Sequence, residues 1–370
     1  MNMKNYPEIT YDELVKCFFL TCPEVVRDMR NCNHHYDEAN GILNPYHLEG
    51  DVLTHTLMVV QQGEIRKVNF LVKLACLFHD FGKIECREEK EKKQRVSFYN
   101  HDAYSAYKML QYIPKFEKYF NFKLSKADKI LLFKMVTLHT DLYKCDDKSL
   151  KGYIAKYSKD IELVKHIREL AFCDGLGRYS DESVSHRYDS LKKMDEYIDT
   201  ILSNESNIEV VEKKHHAIVM VGLPMSGKST WMRNFTKENQ DYEILSRDNV
   251  ILELGKGLSY TEAYNTVDQN EVNKIFQDRC KEAIENRKNI IFDLTNMSKK
   301  ARRKSIGNLS NDYKKTAQVI IADLEILKER NAKRVKEEGK HIPEEVIDAM
   351  VKSFYPPMYD EFDEIFYKIF

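Results

Sequence analysis

The stretch Gly222-Leu-Pro-Met-Ser-Gly-Lys-Ser-Thr230 decides the fold of the second half of the chain. It follows an apolar run at residues 217–221 and opens a segment with helical spacing, so it matches G-x-x-x-x-G-K-[ST] in the expected strand, loop and helix setting. The glycines let backbone N–H groups approach a triphosphate, and the helix N-terminus adds the positive end of its dipole. The motif predicts nucleotide contacts at Gly222, Ser226, Gly227, Lys228, Ser229 and Thr230.

Two side chains of this loop have separate predicted roles. Lys228 supplies a cation for the β- and γ-phosphates, which makes it a catalytic candidate. Ser229 is the natural hydroxyl ligand for Mg²⁺. The implied cofactors are therefore ATP or another NTP, together with Mg²⁺.

Three further apolar runs, at residues 242–245, 289–292 and 319–322, predict short strands separated by helices. Such alternation predicts a parallel sheet that binds ligands at the carboxyl ends of its strands. Arg247 and Asp248 follow the first of these strands, and we expect both to contact the substrate. Asp248 is also a catalytic candidate, because its carboxylate can orient and deprotonate an attacking alcohol beside the γ-phosphate. A turn or helix cap is the structural alternative for this residue.

Two arginines near the end of the chain predict a second phosphate contact. Arg330 and Arg334 are four residues apart in a helical segment and therefore share one face. Like charges at this spacing repel, so such a face binds an anion or is merely solvated. We expect one of them to cover the transferring phosphate, and residues 337–340 to form a mobile lid.

Histidine and aspartate recur beside apolar helical segments in the first half of the chain. The pair His79-Asp80 ends an apolar segment at residues 68–78, where burial without partners is costly and a metal ion would satisfy both groups. Other such residues flank further helices, as ligands converging into a helical bundle would. The predicted metal ligands are His55, His79, Asp80, His101, His139 and Asp174.

These donors indicate a metal-dependent chemistry. Imidazole and carboxylate groups suit Mn²⁺, Co²⁺, Ni²⁺, Zn²⁺ or Fe²⁺, which would activate water and polarise a phosphoryl oxygen. Asp80 could bridge two metals. Arg178, four residues after Asp174, is expected on the same helical face, and with Lys83 it would stabilise charge on the phosphate. His47, His101 and His139 could also contact the phosphate or protonate the leaving oxygen.

Composition limits the class of protein. The 370 residues carry a formal net charge of −1 with 32% charged residues, so no overall basic field indicates nucleic-acid binding. The eight cysteines include no C-x-x-C pair and no secretory signal is visible, which predicts reduced thiols in the cytoplasm. No run is long and apolar enough to predict a membrane helix. A zinc site at Cys17, Cys22 and Cys32 is the less favoured alternative, because their spacing is irregular.

A polar stretch before the strand at residues 217–221 predicts the domain boundary. We expect a metal-dependent phosphohydrolase domain at residues 1–203, a linker at 204–214 and a P-loop kinase domain at 215–370. The predicted fold is an all-α domain followed by an α/β domain with a parallel sheet.

The ordered set around His55, His79-Asp80 and Asp174 resembles the HD-domain phosphohydrolase superfamily, whose pattern is H…HD…D with extra histidines in two-metal members. The second half resembles the polynucleotide kinase family of P-loop phosphotransferases. That resemblance rests on residues 222–230, 246–248, 293–296, 329–334 and 342–347.

The kinase resemblance implies roles for individual residues. Asp248 would be the general base for a polynucleotide 5′-OH, Arg334 the lid arginine on the transferring phosphate, and Arg330 a nucleotide contact. One residue departs from the family, which commonly has an arginine three residues after the base. Here that residue is Ile251, which cannot grip a substrate phosphate.

The order of the two modules is similar to that of bacterial and phage HD-polynucleotide kinase fusions of RNA end repair. This resemblance implies a bifunctional enzyme that phosphorylates 5′-OH ends and removes 2′,3′-cyclic phosphate or 2′-phosphate from the other end. Its substrates would be RNA or DNA ends, and sealing would need a separate ligase.

Two other functions remain open from the sequence. The first is a nucleotide-metabolism enzyme, with an HD mononucleotide phosphohydrolase and a small-molecule kinase. The second is a nucleotide-sensing switch whose P-loop only gates conformation. The sequence leaves the metal, the NTP preference and the oligomeric state undetermined.

Overall fold

The computed structural model describes residues 6–204, 212–338 and 342–370, and the side chains of residues 337 and 338 are not described. The chain divides into two compact units, Met1–Ser206 and Asn207–Phe370. The division falls inside the stretch 204–214 that the sequence assigns to a linker. Across the described residues, every helix is too short or too polar to cross a bilayer.

The first unit is helical, as predicted, with one small antiparallel hairpin that the sequence did not indicate. The hairpin strands are β1 (Glu88–Lys90) and β2 (Arg95–Ser97). The helices are α1 (Tyr11–Thr21), α2 (Pro23–Asn31), α3 (Val52–Ile65), α4 (Phe70–Phe78), α5 (Lys83–Cys86), α6 (His101–Tyr119), α7 (Lys126–Leu138), α8 (Leu150–Tyr157), α9 (Ile161–Leu176), α10 (Glu182–Ser185) and α11 (Arg187–Ser203), with short 3-10 turns at Glu91–Lys93 and Leu142–Lys144.

Helix α4 is the centre of this unit. All of its residues except Lys73 are buried, and it packs against α3, α6, α7 and α9. A helix that is apolar on every side is stable only when other helices surround it. Asn69 caps its start by accepting from the Val72 N–H at 3.0 Å, and its carboxyl end delivers His79 into the interior. Asp51 caps α3 in the same way, by accepting from the Thr54 N–H.

The second unit is an α/β domain with a five-stranded parallel sheet in the order β4-β5-β3-β6-β7. The strands are β3 (His215–Val221), β4 (Tyr242–Ser246), β5 (Asn289–Asp293), β6 (Tyr313–Ile321) and β7 (Glu364–Ile369). The helices are α12 (Lys228–Glu238), α13 (Arg247–Leu254), α14 (Tyr260–Thr266), α15 (Gln269–Glu285), α16 (Lys299–Ile306), α17 (Leu324–Glu338) and α18 (Glu344–Lys352).

The central strand β3 explains where ligands bind. Its residues 217–221 are all buried, as expected for a parallel strand covered on both faces. After β3, the chain first forms β4 and β5 on one side of β3 and then forms β6 and β7 on its other side. Connections that diverge in this way leave a crevice at the carboxyl end of the central strand, where the P-loop lies.

Two strands differ from the sequence-based prediction. Strand β6 begins at Tyr313 rather than residue 319, because its first half is polar and only half-buried apart from Tyr313. Strand β7 was missed entirely, since it is an edge strand and only Ile369 is fully buried. An edge strand buries little apolar surface and so leaves a weak pattern in the sequence.

Candidate metal centre and nucleotide site

The structure brings all six predicted metal ligands of the helical unit together. They come from five helices: His55 lies on α3, His79 and Asp80 follow α4, His101 opens α6, His139 ends α7, and Asp174 lies in the last turn of α9. They form two donor groups, each of which could hold a metal ion: His55, His79 and Asp174, and Asp80, His101 and His139.

The first donor group has the spacing of a metal shell. His55 Nε2 lies 3.1 Å from Asp174 Oδ1 and 3.4 Å from both His79 Nε2 and Asp80 Oδ2. His79 Nε2 lies 3.2 Å from the same oxygen of Asp80. The distance from His79 Nε2 to Asp174 Oδ1 is longer, at 3.9 Å. Four ligands on a tetrahedron with bonds of 2.0–2.1 Å are about 3.3 Å apart, so most of these distances are close to the spacing of one metal shell.

Asp80 joins the two groups. Its Oδ2 faces His55 and His79, whereas its Oδ1 lies 3.3 Å from His101 Nε2 and 4.0 Å from His139 Nε2. Asp80 is 1% exposed, and its close partners are the Lys83 ammonium, 2.7 Å from Oδ2, and these imidazole nitrogens. A buried carboxylate is costly unless cations compensate it, and Lys83 supplies one of them. The arrangement fits a carboxylate that bridges two metal ions.

The histidine tautomers support the same conclusion. Nδ1 of three histidines lies 2.7–2.8 Å from a backbone carbonyl oxygen, at His79, His101 and His139. A carbonyl oxygen only accepts, so each Nδ1 carries a proton and donates it, which leaves Nε2 with a lone pair when the ring is neutral. His101 Nε2 and His139 Nε2 are only 3.2 Å apart. Two lone pairs at that distance need a shared cation, either a proton or a metal.

Burial and neighbouring charges shift the pKa values of several groups in the centre. Burial alone would raise the pKa of Asp80, but His79, Lys83 and His101 hold it well below its usual value. Burial together with the neighbouring His101 and His79 lowers the pKa of His139 to about 4. For His55, burial is outweighed by hydrogen bonds to Asp174 and Glu49, which raise its pKa to about 9. The centre therefore combines an ionised carboxylate at Asp80 with a neutral imidazole at His139, whereas His55 must release a proton before its Nε2 can bind a metal.

Lys83, which the sequence analysis assigned to the phosphate, is held beside Asp80. Its ammonium is 2.7 Å from Asp80 Oδ2 and 3.0 Å from His34 Nε2. Nδ1 of His34 lies 2.9 Å from the Gly50 carbonyl, which leaves Nε2 free to accept from the lysine. His34 was not among the predicted site residues, because its positioning role depends on a contact 49 residues away.

Glu49 and His47 form the next layer of the centre. Glu49 Oε1 lies 3.0 Å from His55 Nδ1 and 2.8 Å from His47 Nδ1, and its side chain is fully buried. A carboxylate on the outer nitrogen of a ligating histidine orients the ring and raises its basicity. His47 stacks on His34 at a ring distance of 4.2 Å, and burial lowers its pKa to about 3 despite the hydrogen bond to Glu49.

Arg178 does not share the helical face of Asp174, which corrects the sequence-based prediction. Helix α9 ends at Leu176, so Arg178 lies beyond it, in the loop that leads to α10. Its Nε is buried and has no hydrogen-bond partner within the described residues. Its charge still reaches Asp174 and helps to lower the pKa of that carboxyl.

In the second unit, the P-loop backbone requires glycine at two positions. Gly222 has φ +154°, and a Cβ there would lie 2.5 Å from the Ile320 carbonyl oxygen. Gly227 has φ +107° and lies directly before α12, so the helix N-terminus faces the loop. This geometry presents backbone N–H groups to an anion.

The predicted phosphate-binding side chains line the same loop. The Lys228 ammonium donates to the carbonyls of Gly222 and Leu223 at 2.9 and 2.8 Å, which holds it inside the loop. Ser226 Oγ is buried without a hydrogen-bond partner among the described residues. Ser229 and Thr230 are exposed in the first turn of α12. An orphaned hydroxyl, a lysine and a helix N-terminus around one cradle suit the phosphates of an NTP.

Asp248 and Arg247 lie in the first turn of α13, immediately after β4. Asp248 is exposed, and its Oδ1 accepts from the hydroxyl of Tyr260 at 2.8 Å. Arg247 donates to Asn273 Oδ1 at 2.9 Å and to Gln269 Oε1 at 2.5 Å. Tyr260 was missed, because tyrosine in a surface helix has no signature in the sequence.

A cavity of 740 Å³ opens between α15 and α16 beside these residues. Arg247 and Thr295 both line it, and the Thr295 carbonyl accepts from the Gly222 N–H at 3.0 Å. The cavity is therefore adjacent to the P-loop. Its wall carries two further cations, Lys281 and Lys304.

Ile251 is buried at 0% exposure on the inner face of α13. This helix packs against α14 and α15, so the position belongs to the core of the unit. The cation expected there by family resemblance is therefore absent, and the cavity wall offers Arg247 instead.

The arginine helix lies where the sequence predicted for Arg330. Its Nη1 donates to the Met225 carbonyl of the P-loop at 2.9 Å. Arg334 lies one turn further along α17 and is half-buried. The predicted lid at 337–340 begins inside α17, which continues through Glu338, and residues 339–341 lie outside the described residues.

Comparison with known proteins agrees with this geometry. Residues 218–357 match the AAA_33 family model, described as an AAA domain. The second unit is a P-loop domain of the kinase type. The match covers the P-loop, Asp248 and the arginine helix.

Two curated relatives match the kinase-type domain. One is L-seryl-tRNA(Sec) kinase of Methanococcus maripaludis, 32% identical over 148 residues, which are 38% of this chain and 52% of the relative. The other is human heterogeneous nuclear ribonucleoprotein U-like protein 2, 27% identical over 157 residues, which are 40% of this chain and 21% of the relative. The chain thus spans about half of the first relative's length and a fifth of the second's.

Among solved structures, one chain of the Pnkp1/Rnl/Hen1 RNA repair complex shares 25% identity. The alignment covers 40% of this chain and 46% of that chain, with a TM-score of 0.32. A score this low carries no structural argument.

Proposed function

We propose that this protein is a bifunctional enzyme that heals nucleic-acid ends. The kinase-type domain, residues 215–370, transfers the γ-phosphate of an NTP to a polynucleotide 5′-OH. The helical unit, residues 1–203, removes 2′,3′-cyclic phosphate or 2′-phosphate from the other end with the help of divalent metal. The observation that carries the second activity is the position of Asp80 between two groups of imidazole nitrogens.

In the kinase reaction, the acceptor hydroxyl would lie between Asp248 and the γ-phosphate. Asp248 takes the proton as the alcohol oxygen bonds to phosphorus, and the bond from phosphorus to the β-phosphate oxygen breaks to release the nucleoside diphosphate. Lys228 and Arg330 would bind the charged phosphates, and Arg334 would reach the transferring group. The cavity beside Arg247 offers the space for the acceptor strand.

In the hydrolytic reaction, a bound divalent metal would lower the pKa of water and polarise the phosphoryl oxygen. His55, His79, Asp80 and Asp174 would hold one ion, and Asp80, His101 and His139 a second. Lys83 and the unpartnered Nε of Arg178 would bind the phosphate oxygens. His47 borders the opening and remains a candidate for phosphate contact, whereas its pKa of about 3 leaves the ring uncharged near pH 7 and unsuited to protonating the leaving oxygen.

The relative named as a seryl-tRNA kinase supports a hydroxyl acceptor that is attached to RNA. A small alcohol or a mononucleotide is the competing acceptor. The two are separated by comparing a 5′-OH oligonucleotide with a nucleoside and with seryl-tRNA at equal concentration. If the enzyme prefers the nucleoside, the proposal of end healing is wrong and a role in nucleotide metabolism is supported instead.

The decisive experiment uses γ-labelled ATP, Mg²⁺ or Mn²⁺, and RNA with a 5′-OH and a 2′,3′-cyclic phosphate. We expect 5′ labelling by wild type and Asp80→Ala but not by Lys228→Ala. We expect opening of the cyclic end by wild type and Lys228→Ala but not by Asp80→Ala. If neither end changes with any of the candidate metals, the proposal is wrong.

A further inference from the structure

The opening of the metal centre is bordered by a set of exposed tyrosines. Three centre residues remain partly open to solvent: side chains of His47, Asp174 and His101 are 14%, 13% and 15% exposed, whereas the others are nearly closed. Two loops lead away from this opening, one containing His47 and the other following Asp174. Tyr46 and Tyr179 lie on these loops and Tyr188 lies in the first turn of α11, and these three exposed tyrosines are here named the aromatic rim.

Hydrogen bonds fix the two loops against each other and against the centre. The Leu48 N–H donates to the Tyr179 carbonyl at 2.8 Å, and the Asp181 N–H donates to the Pro45 carbonyl at 2.8 Å. The Tyr179 N–H donates to Glu49 Oε2 at 3.0 Å. Glu49 in turn contacts His55, so the rim is connected to a metal ligand through one side chain.

The rim is more exposed than ordinary tyrosines that pack on a core. Tyr179 is 64% exposed, Tyr188 58% and Tyr46 45%. Tyrosine at such a position presents apolar ring surface and a polar hydroxyl to solvent, where a partner can contact both. The main-chain hydrogen bonds described above hold both loops in place. The conformation of the loops therefore does not depend on packing of the tyrosine rings.

Cations accompany the rings. The Arg187 guanidinium lies over the Tyr188 ring at 4.6 Å and donates to the Tyr188 hydroxyl at 3.0 Å. Arg187 also donates to the Arg178 carbonyl, and the Arg178 Nε is buried without a partner in the described part of the chain. Open aromatic faces beside arginines, next to a phosphate-directed centre, are the features of sites that bind single-stranded nucleic acid by base stacking.

We propose that the aromatic rim binds the bases that precede the terminal nucleotide of a single-stranded nucleic acid whose terminal phosphate enters the metal centre. The inference rests on the proposed hydrolytic function, and it specifies the substrate as a strand rather than a mononucleotide. Stacking on tyrosine does not read sequence, so the rim accepts any base at these positions. Its contribution is to affinity for the strand and not to the bond-breaking step.

The test compares two substrates of the same chemistry: a 2′,3′-cyclic mononucleotide and a ten-nucleotide RNA ending in the same cyclic phosphate. For Tyr179→Ala and Tyr188→Ala, we expect KM for the RNA to rise about tenfold, as loss of one stacked base predicts. Activity on the mononucleotide stays within about twofold, because neither side chain touches the metal ligands. Tyr179→Phe keeps the ring and should behave like wild type.

Tyr119→Ala is the matched control. Tyr119 is also exposed, but it lies at the far end of α6 from His101, about 27 Å away at 1.5 Å per residue. Metal content and kinase activity of each variant show whether it is folded. Tyr179→Ala leaves the main-chain bond to Glu49 in place, so its effect reports on the ring.

The outcomes separate this inference from the function on which it rests. If wild type opens neither substrate, the hydrolytic proposal fails and the rim proposal with it. If wild type opens both, equal losses on both substrates, or no loss on either, overturn the rim proposal alone. Unchanged kinetics with altered self-association would assign the rim to contact between copies of the chain and would also overturn it.

Discussion

The Tyr260 hydroxyl donates to Asp248 Oδ1 across 2.8 Å, which joins the start of α14 to the first turn of α13. Burial and the neighbouring Asp248 carboxylate raise the pKa of Tyr260, so the hydroxyl keeps its proton and remains a donor. A donor on one carboxylate oxygen fixes the direction in which the other can accept. Asp248 is thus oriented by a residue outside its own helix.

Tyr260→Phe should lower kcat of the kinase by about tenfold, the loss expected for one hydrogen bond to a charged group. The KM for ATP should not change, because the P-loop is untouched. Steady-state phosphorylation of a 5′-OH oligonucleotide measures both constants. Tyr264→Phe, the same change on the neighbouring ring, is the control, and an equal loss in both variants would contradict the orienting role.

Asp80→Asn should abolish binding at both proposed metal positions, since Oδ2 of Asp80 faces His55 and His79 and its Oδ1 faces His101. His139→Ala should remove only the second ion. Metal analysis after dialysis should therefore find two ions per chain in wild type, one in His139→Ala and none in Asp80→Asn. His166→Ala, a buried histidine outside both groups, should retain two. Full occupancy in Asp80→Asn would exclude the bridging carboxylate.

Ile251→Arg tests whether the missing cation can simply be restored. Since Ile251 is fully buried, the arginine would be desolvated without a partner and should destabilise the P-loop unit by about 3 kcal/mol or more. Ile251→Leu should cost less than about 1.5 kcal/mol. Denaturant unfolding measures both. A stable arginine variant with tighter RNA binding would show that this side chain reaches the acceptor site.

Arg302→Met should destabilise the same unit by about 3–5 kcal/mol, because it leaves the buried Glu361 carboxylate without its partner. Arg302 is 0% exposed and donates to Glu361 Oε2 at 2.7 Å and to the Tyr355 carbonyl at 2.7 Å. Arg303→Met, at the exposed neighbouring position, should change stability by less than about 0.5 kcal/mol. If an unfolding titration finds that both variants lose the same free energy of unfolding, the ion pair does not contribute much to the stability of this unit.

Patterns of local origin were readable from the sequence. The P-loop, the capped helix carrying His55 and the apolar helix ending at His79 depend on residues close together in the chain, so their spacing already indicates the structure. The parallel sheet followed from alternation of strands and helices. The six candidate metal ligands were also named from the sequence, because they form an ordered set of histidines and aspartates, and the structure brings them into two groups that could hold metal ions.

Only the tertiary structure decided which groups face each other. Asp80 serves both donor groups because helices α3, α4, α6, α7 and α9 converge on it, and no local pattern encodes that convergence. The end of α9 at Leu176, the contact of His34 with Lys83 and the burial of Ile251 likewise depend on packing between distant segments. Sequence spacing specifies helices and loops, whereas long-range packing sets the distances between their side chains, and those distances determine the chemistry of the site.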